Sequence, residues 1–256
     1  EQFDAGMGRV ASSVVEFVQG IAVVKAFGGA GRAHRAFRTA VDEFVGTFFR
    51  WVRGLAPIAA GMQLDWDRIP GLTESVGKAG TGVCSNYSYD TVSSTWDAIR
   101  AFRGGTALFT EPTTPVKCGG APQKIMYLAE EAIRKNGVRD KSRIVFMNAK
   151  PTLFTCPYYI PAIERVIRSR GMEVQLGQEL VELRPGQHEA VFKDVKTGSE
   201  QVITYELIHV TPPMTGPSFV RSSPLANADG WVEVDKFSLQ HVRYPNVFSL
   251  GDCSSL

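Results

Sequence analysis

The residue of this 256-residue chain whose type and position best suit chemistry is Cys118. It lies in the turn Pro115-Val-Lys-Cys-Gly-Gly-Ala-Pro-Gln-Lys124, between a predicted strand and a predicted helix. A helix dipole favours an anion near the first turn of the helix, and the neighbouring Lys117 and Lys124 favour it further. The sequence therefore indicates a thiolate-prone, reactive cysteine. A buried structural thiol is the alternative, because free cysteines are often buried.

The same turn argues against binding of NAD. In a dinucleotide-binding βαβ unit this turn reads G-x-G-x-x-G, and its glycines let the pyrophosphate approach the start of the helix. Here Gly119 and Gly120 are adjacent and a cysteine occupies the turn. We therefore expect no NAD at this helix.

A second candidate site lies near the end of the sequence. Tyr244-Pro-Asn-Val-Phe-Ser-Leu-Gly251-Asp252 reads as a strand that ends in Gly-Asp. It resembles the returning strand of two-dinucleotide-domain flavoproteins, in which the terminal aspartate hydrogen-bonds the ribityl chain of FAD. The resemblance implies that Gly251 and Asp252 contact FAD, and a plain turn is the alternative.

The other candidate residues predict less chemistry. The remaining cysteines are too far apart for a metal knuckle or a Cys-x-x-Cys pair, so no metal site is expected, and packing or incidental thiols are predicted at Cys84, Cys156 and Cys253. His209 follows an apolar run and is predicted to be a core residue. Surface positions are predicted for His34, His188 and His241, and a solvated helix face for Glu130, Glu131 and Arg134.

The elements that must position these residues alternate along the chain after residue 62. Strands are predicted at Thr106–Thr110, Arg143–Met147 and Met172–Leu176, with helices at Ala121–Asn136 and Tyr158–Arg170. This alternation predicts a parallel sheet. Antiparallel strands are predicted at Ala190–Phe192, Gln201–Tyr205 and Leu207–Val210, the first two joined by the turn Lys196–Ser199.

The helices are predicted to have defined inward faces. The first should turn inward Ile125, Leu128, Ala129 and Ile133, and the second Ile160, Ile163, Val166 and Ile167. Hydrophobic residues make up 44% of the chain and the net charge is +2. That composition is typical of a globular protein and excludes a disordered, collagenous or nucleic-acid-coating chain.

Residues 1–62 are of a different kind. Of the 14 prolines only Pro57 lies there, and all four cysteines come later. Apolar residues at steps of three and four predict two α-helices separated by Gly28-Gly-Ala-Gly31, with no signal peptide and no complete membrane span. The run Glu16-Phe-Val-Gln-Gly-Ile-Ala-Val-Val-Lys-Ala-Phe-Gly28 resembles the cytoplasmic segment of an ABC exporter transmembrane domain. No Walker motif is present, and Glu1 as the first residue indicates a chain cut from something longer.

Residues 63–256 resemble the mitochondrial-like type of sulfide:quinone oxidoreductase. The matching runs are Ser85–Ser88, Thr114–Leu128, Leu207–Met214, Gly230–Asp235, Leu239–His241 and Tyr244–Cys253. The resemblance implies an α/β fold, part of a two-dinucleotide-binding-domain flavoprotein, with a parallel sheet and helices plus antiparallel strands. The predicted domains are a helical segment at 1–62, a remnant of the FAD-binding domain at 63–104, a second Rossmann-like domain with Cys118 at 105–224, and a return to the FAD-binding domain at 225–256.

The resemblance also implies an activity. In that family sulfide is oxidised to persulfide sulfur, a small sulfur acceptor takes that sulfur, and FAD relays the electrons to a quinone. The enzymes of the family are peripheral membrane proteins. Cys118 inherits the role of the flavin-facing redox thiol. The first G-x-G-x-x-G motif and the second redox cysteine are missing from this sequence, so we expect FAD to be held poorly. The alternatives are a fragment of an ABC exporter subunit and a non-functional chimeric reading frame.

Overall fold

A computed structural model describes residues 61–255. The strands in this part of the chain are β1 (Gln63–Leu64), β2 (Val83–Cys84), β3 (Gly105–Glu111), β4 (Ser142–Asn148), β5 (Glu173–Leu176), β6 (Gln178–Arg184), β7 (Glu189–Asp194), β8 (Glu200–Thr204), β9 (Leu207–His209) and β10 (Met214–Thr215). The α-helices are α1 (Tyr89–Ala101), α2 (Ala121–Lys135), α3 (Ile160–Ser169) and α4 (Ser218–Arg221).

A five-stranded parallel sheet in the order β2-β9-β3-β4-β5 positions the candidate residues. β3 and β4 pair along their whole length, from Gly105↔Ser142 to Glu111↔Asn148. Both strands are continuous apolar runs in the middle, as strands buried on two faces require. Their carboxyl ends therefore meet at one edge of the sheet, where ligands bind in open α/β sheets.

The two faces of this sheet have separate cores. On one face α2 packs Met126, Ala129 and Ile133 against Phe109 and Phe146. On the other face lies an antiparallel sheet in the order β6-β7-β8, which packs around the residues Leu108, Val145, Met147, Leu180, Leu183 and Phe192. Covering a parallel sheet on both faces is what the predicted βαβαβ alternation demands.

The parallel order of β3, β4 and β5 confirms the predicted sheet, and the β7–β8 hairpin confirms the predicted antiparallel pair. In its turn the Asp194 carboxylate accepts hydrogen bonds from the backbone N–H groups of Lys196 and Thr197. The prediction that Leu207–Val210 is an antiparallel strand is wrong. β9 runs parallel between β2 and β3, because three successive buried residues suit a strand covered on both faces rather than a half-exposed one.

The predicted inward faces of the helices are wrong in part. Leu128 is 66% exposed, and Met126 takes its place against the sheet. In α3 only Ile167 is fully buried, and Val166 is exposed. Periodicity alone misplaced these faces because a step of three or four residues fits two neighbouring stripes of a helix.

The predicted strand Tyr244–Asp252 does not form. Phe248 makes a single antiparallel bridge to Gln240, and Phe248 and Leu250 are exposed. A strand needs a neighbour for its backbone groups, and within residues 61–255 no other strand pairs with this segment. The segment after α4 is instead held by isolated bridges and by a small cluster of Val220, Val232 and Val234.

Candidate functional site

Cys118 is exposed in the loop that joins β3 to α2. Its φ is 59°, in the left-handed region that residues with a side chain seldom adopt. The Cys118 carbonyl accepts a hydrogen bond from the Ala121 N–H at 2.9 Å, which ties the strained turn to the start of α2. The alternative of a buried structural thiol is therefore wrong. Strained backbone of this kind is often found at functional sites.

The Cys118 loop is anchored to β10. The Lys117 N–H donates to Met214 Sδ at 3.2 Å, and the Met214 N–H donates to Thr114 Oγ1 at 3.0 Å. The Lys117 ammonium lies 3.9 Å from the Asp252 carboxylate, with both side chains about half exposed. The two candidate sites predicted from the sequence, the Cys118 loop and the Gly251-Asp252 turn, are therefore neighbours in the structure.

A cleft of about 770 Å³ lies where these segments meet. Gly251 has a φ of 85° in a turn closed by hydrogen bonds from the Ser254 N–H and hydroxyl to its carbonyl. The cleft is lined by Met62, Arg68, Thr113, Thr114, Pro115, Met214, Thr215, Asn227, Ala228, Asp229, Trp231, Gly251, Asp252, Ser254 and Ser255. Its wall is mostly polar, with hydroxyl, amide and carboxylate groups that suit a polar ligand.

A buried ion pair at the carboxyl edge of the sheet escaped the sequence reasoning. Glu111, the last residue of β3, is 4% exposed on its side chain and contacts the Lys150 ammonium at 2.7 Å. Burial raises the pKa of Glu111, and Lys150 opposes that rise. The position of Glu111 in the sequence could have revealed it, because a carboxylate at the carboxyl end of an apolar parallel strand lies at the ligand-binding edge of the sheet.

His209 confirms its predicted place in the core. Burial lowers its pKa to about 3, so the ring is neutral and is no base in ordinary conditions. Its Nε2 accepts a hydrogen bond from the Asn86 N–H at 3.0 Å. The ring lies between Phe109 and Tyr87, with centroids 6.2 and 6.3 Å away.

Two predicted surface groups are buried instead. His241 is 3% exposed and its Nε2 lies 3.0 Å from the Leu225 carbonyl, because it closes the loop after α4. Glu130 is 2% exposed on its side chain and binds Arg170 at 2.7 Å and Arg139 at 3.5 Å. His188 was also predicted to lie at the surface, but it is half-buried against Tyr205.

The other thiols differ in reactivity. Cys84 is fully buried, and burial raises its pKa to about 12, so it is inert in the folded protein. Cys253 is also buried, which fits its predicted packing role, with Ser249 Oγ 3.5 Å from its sulfur. Cys156 is half-buried. Among residues 61–255 no three His, Cys, Asp or Glu side chains are grouped as a metal site would require.

The fold is that of the two-dinucleotide-binding flavoproteins. The solved structure of the sulfide:quinone oxidoreductase from Aquifex aeolicus superposes with a TM-score of 0.63 at 18% identity, covering 77% of this chain and 45% of that one. NDH2 from Plasmodium falciparum superposes with a TM-score of 0.51 at 10% identity, covering 76% of this chain and 42% of that one. At these identities the structures establish the fold alone.

In sequence, the chain is similar to mitochondrial sulfide:quinone oxidoreductases. The mitochondrial sulfide:quinone oxidoreductase of Mus musculus is 50% identical over 200 residues, and that of Dictyostelium discoideum is 45% identical over 201 residues. Each match covers 78% of this chain and 44% of the relative, so the chain spans less than half the length of these curated relatives. No family model matches. The chain is thus homologous to the sulfide:quinone oxidoreductases over about four-fifths of its length.

The exporter-like interpretation of residues 1–62 gains no support from these comparisons. Apart from Gly61 and Met62, it falls outside the described residues and stays a prediction. In residues 61–255 no helix is both long enough and apolar enough to cross a membrane.

Proposed function

We propose that this chain carries the redox-thiol part of an FAD-dependent enzyme that oxidises sulfide to persulfide sulfur and passes two electrons to a quinone. The observation that carries the proposal is the meeting of the strained, exposed Cys118 loop with the Gly251-Asp252 turn on one cleft. Residues 105–224 are then the second Rossmann-like domain, and 225–256 return toward the flavin. Attachment to a membrane surface would bring the quinone within reach.

The residues present fit FAD. The cleft is mostly polar, and its wall includes both Thr113–Pro115 of the Cys118 loop and the pair Gly251 and Asp252. In this proposal Asp252 accepts a hydrogen bond from a ribityl hydroxyl, and the positive φ of Gly251 allows the tight turn that presents it. FAD supplies the capacity to accept two electrons and to pass them on to quinone.

Cys118 supplies the sulfur chemistry. A hydrosulfide ion would attack the sulfur bonded to Cys118 in a disulfide or trisulfide with the second redox cysteine, which this sequence lacks. The new sulfur–sulfur bond leaves a persulfide on that second cysteine, the bond to Cys118 breaks, and the Cys118 thiolate leaves. Re-forming the bond between the two cysteines would release two electrons, which FAD would accept. The new persulfide goes to a small acceptor such as sulfite or a thiol. The adjacent Lys117 ammonium and the start of α2 stabilise the negative charge that develops on Cys118.

Replacement of the thiol tests this proposal. The full chain, with FAD in excess and a small disulfide added in place of the second redox cysteine, is mixed with sulfide and a soluble ubiquinone analogue, and flavin absorbance and quinone reduction are followed. We expect Cys118→Ser to abolish both signals and Cys156→Ser, which removes another accessible thiol, to leave them unchanged. Sulfide-dependent quinone reduction by Cys118→Ser at the parent rate would contradict the assignment.

A further inference from the structure

The segment that leads into the Gly251-Asp252 turn is a short hairpin, residues 239–249. The His241 N–H donates to the Val247 carbonyl at 2.9 Å, and the N–H of the last hairpin residue donates to the carbonyl of the first at 3.0 Å. An isolated antiparallel bridge joins His241 to Val234. A two-stranded ladder of this length is marginal by itself, so side-chain contacts are needed to fix its position.

The His241 side chain makes such contacts at the start of the hairpin. His241 is 3% exposed, and its Nε2 lies 3.0 Å from the Leu225 carbonyl. Its Nδ1 faces the backbone N–H groups of Arg243 and Tyr244, with nitrogen–nitrogen distances of 3.0 and 3.3 Å. A carbonyl can only accept and an N–H can only donate, so Nε2 must carry the proton and Nδ1 the lone pair. Only the neutral Nε2–H tautomer makes all three bonds.

The bond to Leu225 connects two segments that line the cleft. Leu225 stands two residues before Asn227–Asp229, and the hairpin ends two residues before Gly251. Asn227–Asp229 and the Gly251-Asp252 turn both line the cleft, whereas His241 does not. The His241 ring therefore joins these two segments from outside the cleft.

Arg243 makes a second tie to the same segment. Its guanidinium donates to the Pro224 carbonyl at 2.8 Å and to the Ala226 carbonyl at 3.3 Å, and it lies 3.5 Å from the Glu233 carboxylate. The Arg243 side chain is 51% exposed, so water weakens these contacts. The bond of the buried His241 ring is shielded from water and is the one that we expect to matter more.

We propose that His241 is a positioning residue for the cleft: its neutral Nε2–H tautomer clamps the hairpin to the Leu225 carbonyl and so holds Asp252 at a fixed spacing from Asn227–Asp229. The inference rests on the proposed function, because it takes this cleft as the flavin site. His241 acts through the backbone on either side of the cleft and touches no reacting atom.

NMR tests the tautomer. The full chain, labelled with ¹⁵N and without added flavin, is examined at about pH 7.5 through the two-bond couplings within its histidine rings. The His241 signals are those that are missing from the His241→Gln variant. We expect the coupling pattern of the Nε2–H tautomer. A protonated ring or an Nδ1–H tautomer overturns the proposal, since neither can make all three bonds.

Two variants separate the bond to Leu225 from the bonds within the loop. His241→Gln keeps an amide N–H that can reach the Leu225 carbonyl, whereas the shorter His241→Asn keeps only an acceptor near the place of Nδ1. Hydrogen exchange of the full chain without flavin is followed by mass spectrometry. We expect His241→Asn to speed exchange of 224–229 and 251–255 about fivefold, the factor for loss of one buried hydrogen bond. His241→Gln should stay within about twofold of the parent chain.

His188→Asn is the matched control. The Nδ1 of His188 lies 3.2 Å from the Tyr205 carbonyl, so this variant also removes a ring contact with a carbonyl, but His188 does not line the cleft. Asparagine tolerates the φ of 54° at this position. Unchanged exchange in His241→Asn overturns the proposal, as does equal acceleration in His188→Asn or in His241→Gln. If circular dichroism shows that His241→Asn is unfolded, the tautomer and the exchange of His241→Gln decide.

A flavin titration connects the clamp to the proposed ligand. FAD is titrated into each chain and its fluorescence gives the Kd. We expect the Kd to rise about fivefold in His241→Asn and to stay unchanged in His188→Asn. An equal Kd in His241→Asn and the parent chain overturns the positioning role. A parent chain that binds no FAD counts against the proposed function, and the tautomer and the exchange rates then decide the clamp by themselves.

Discussion

At the scale of single residues, the carboxyl edge of the sheet concentrates buried charge. Glu111 and Lys150 are joined at 2.7 Å with little exposure on either side chain. A buried pair of this kind contributes little beyond its desolvation cost, but removing one partner strands the other in a poor solvent for charge. The main contribution of Lys150 to stability is therefore that it neutralises the buried charge of Glu111.

Lys150→Met should destabilise the protein in a pH-dependent way. Burial already raises the pKa of Glu111 above 4.5, and the variant removes the ammonium that opposes this rise. The folded state then takes up a proton at higher pH than the unfolded state, so the variant recovers stability as pH falls through the native pKa of Glu111. We expect a loss of about 3 kcal/mol at pH 8, and less at pH 5.

Urea unfolding at the two pH values measures this difference. The double variant Glu111→Gln with Lys150→Met is the control, because it has no carboxylate to titrate and should lose its dependence on pH between 5 and 8. Equal destabilisation of Lys150→Met at both pH values would show that packing of the lysine stem, rather than charge, accounts for the loss.

At the scale of elements, α2 shows which features of a helix can be predicted from its sequence and which cannot. Its existence and ends follow from Pro122 in the first turn and from the apolar repeat, and the structure gives Ala121–Lys135. Its buried acid was not foreseen, although Glu130 stands four residues after Met126 and three before Ile133, on the apolar stripe. Its partners Arg139 and Arg170 come from other elements, so the sequence of the helix alone does not reveal them.

Glu130 and Glu131 offer a matched pair of variants on this helix. Glu130→Gln removes the charge that joins α2 to Arg139 before β4 and to Arg170 after α3. It leaves Arg139 without its carboxylate and Arg170 with only the more distant Glu131, 3.6 Å away. We expect a loss of about 3 kcal/mol in the free energy of unfolding. Glu131→Gln removes a partly exposed partner of Arg134 and Lys135 that also lies 3.6 Å from Arg170, and it should lower the free energy of unfolding by much less, because surface pairs are weak. Similar losses in both variants would argue that general helix charge, not the buried network, is responsible.

At the scale of the whole molecule, local sequence patterns predicted the parallel sheet well, but they predicted the segment after α4 poorly. β3 and β4 are short apolar runs flanked by turns, and each carries its own signal. Tyr244–Leu250 looks equally apolar, yet its fate depends on a neighbouring strand, which no local pattern encodes. The cleft was predictable only as two separate motifs, since the 3.9 Å approach of Lys117 to Asp252 arises from tertiary structure.

This contrast predicts the pattern of amide hydrogen exchange over the described residues. Amides of β3 and β4 lie in full ladders between two cores, so they should exchange only on global unfolding. Amides of 235–250 are held by isolated bridges and should exchange by local opening, much faster. Added FAD should slow exchange in 113–118 and 251–255, because residues 113–115, 251, 252, 254 and 255 line the 770 Å³ cleft.

A second hollow provides the internal control for that measurement. It measures about 280 Å³ and is lined in part by Glu179–Val181, Lys193 and Val195; it shares Arg68 and Thr113 with the larger cleft but not Gly251 or Asp252. Because a bound ligand stabilises the segments it contacts, peptides covering 178–195 should exchange at the same rate with and without FAD. Slowing confined to 178–195 would move the nucleotide site to the smaller hollow. Slowing confined to 113–118 and 251–255 would tie FAD to the segments beside Cys118, where the released thiolate needs its electron acceptor.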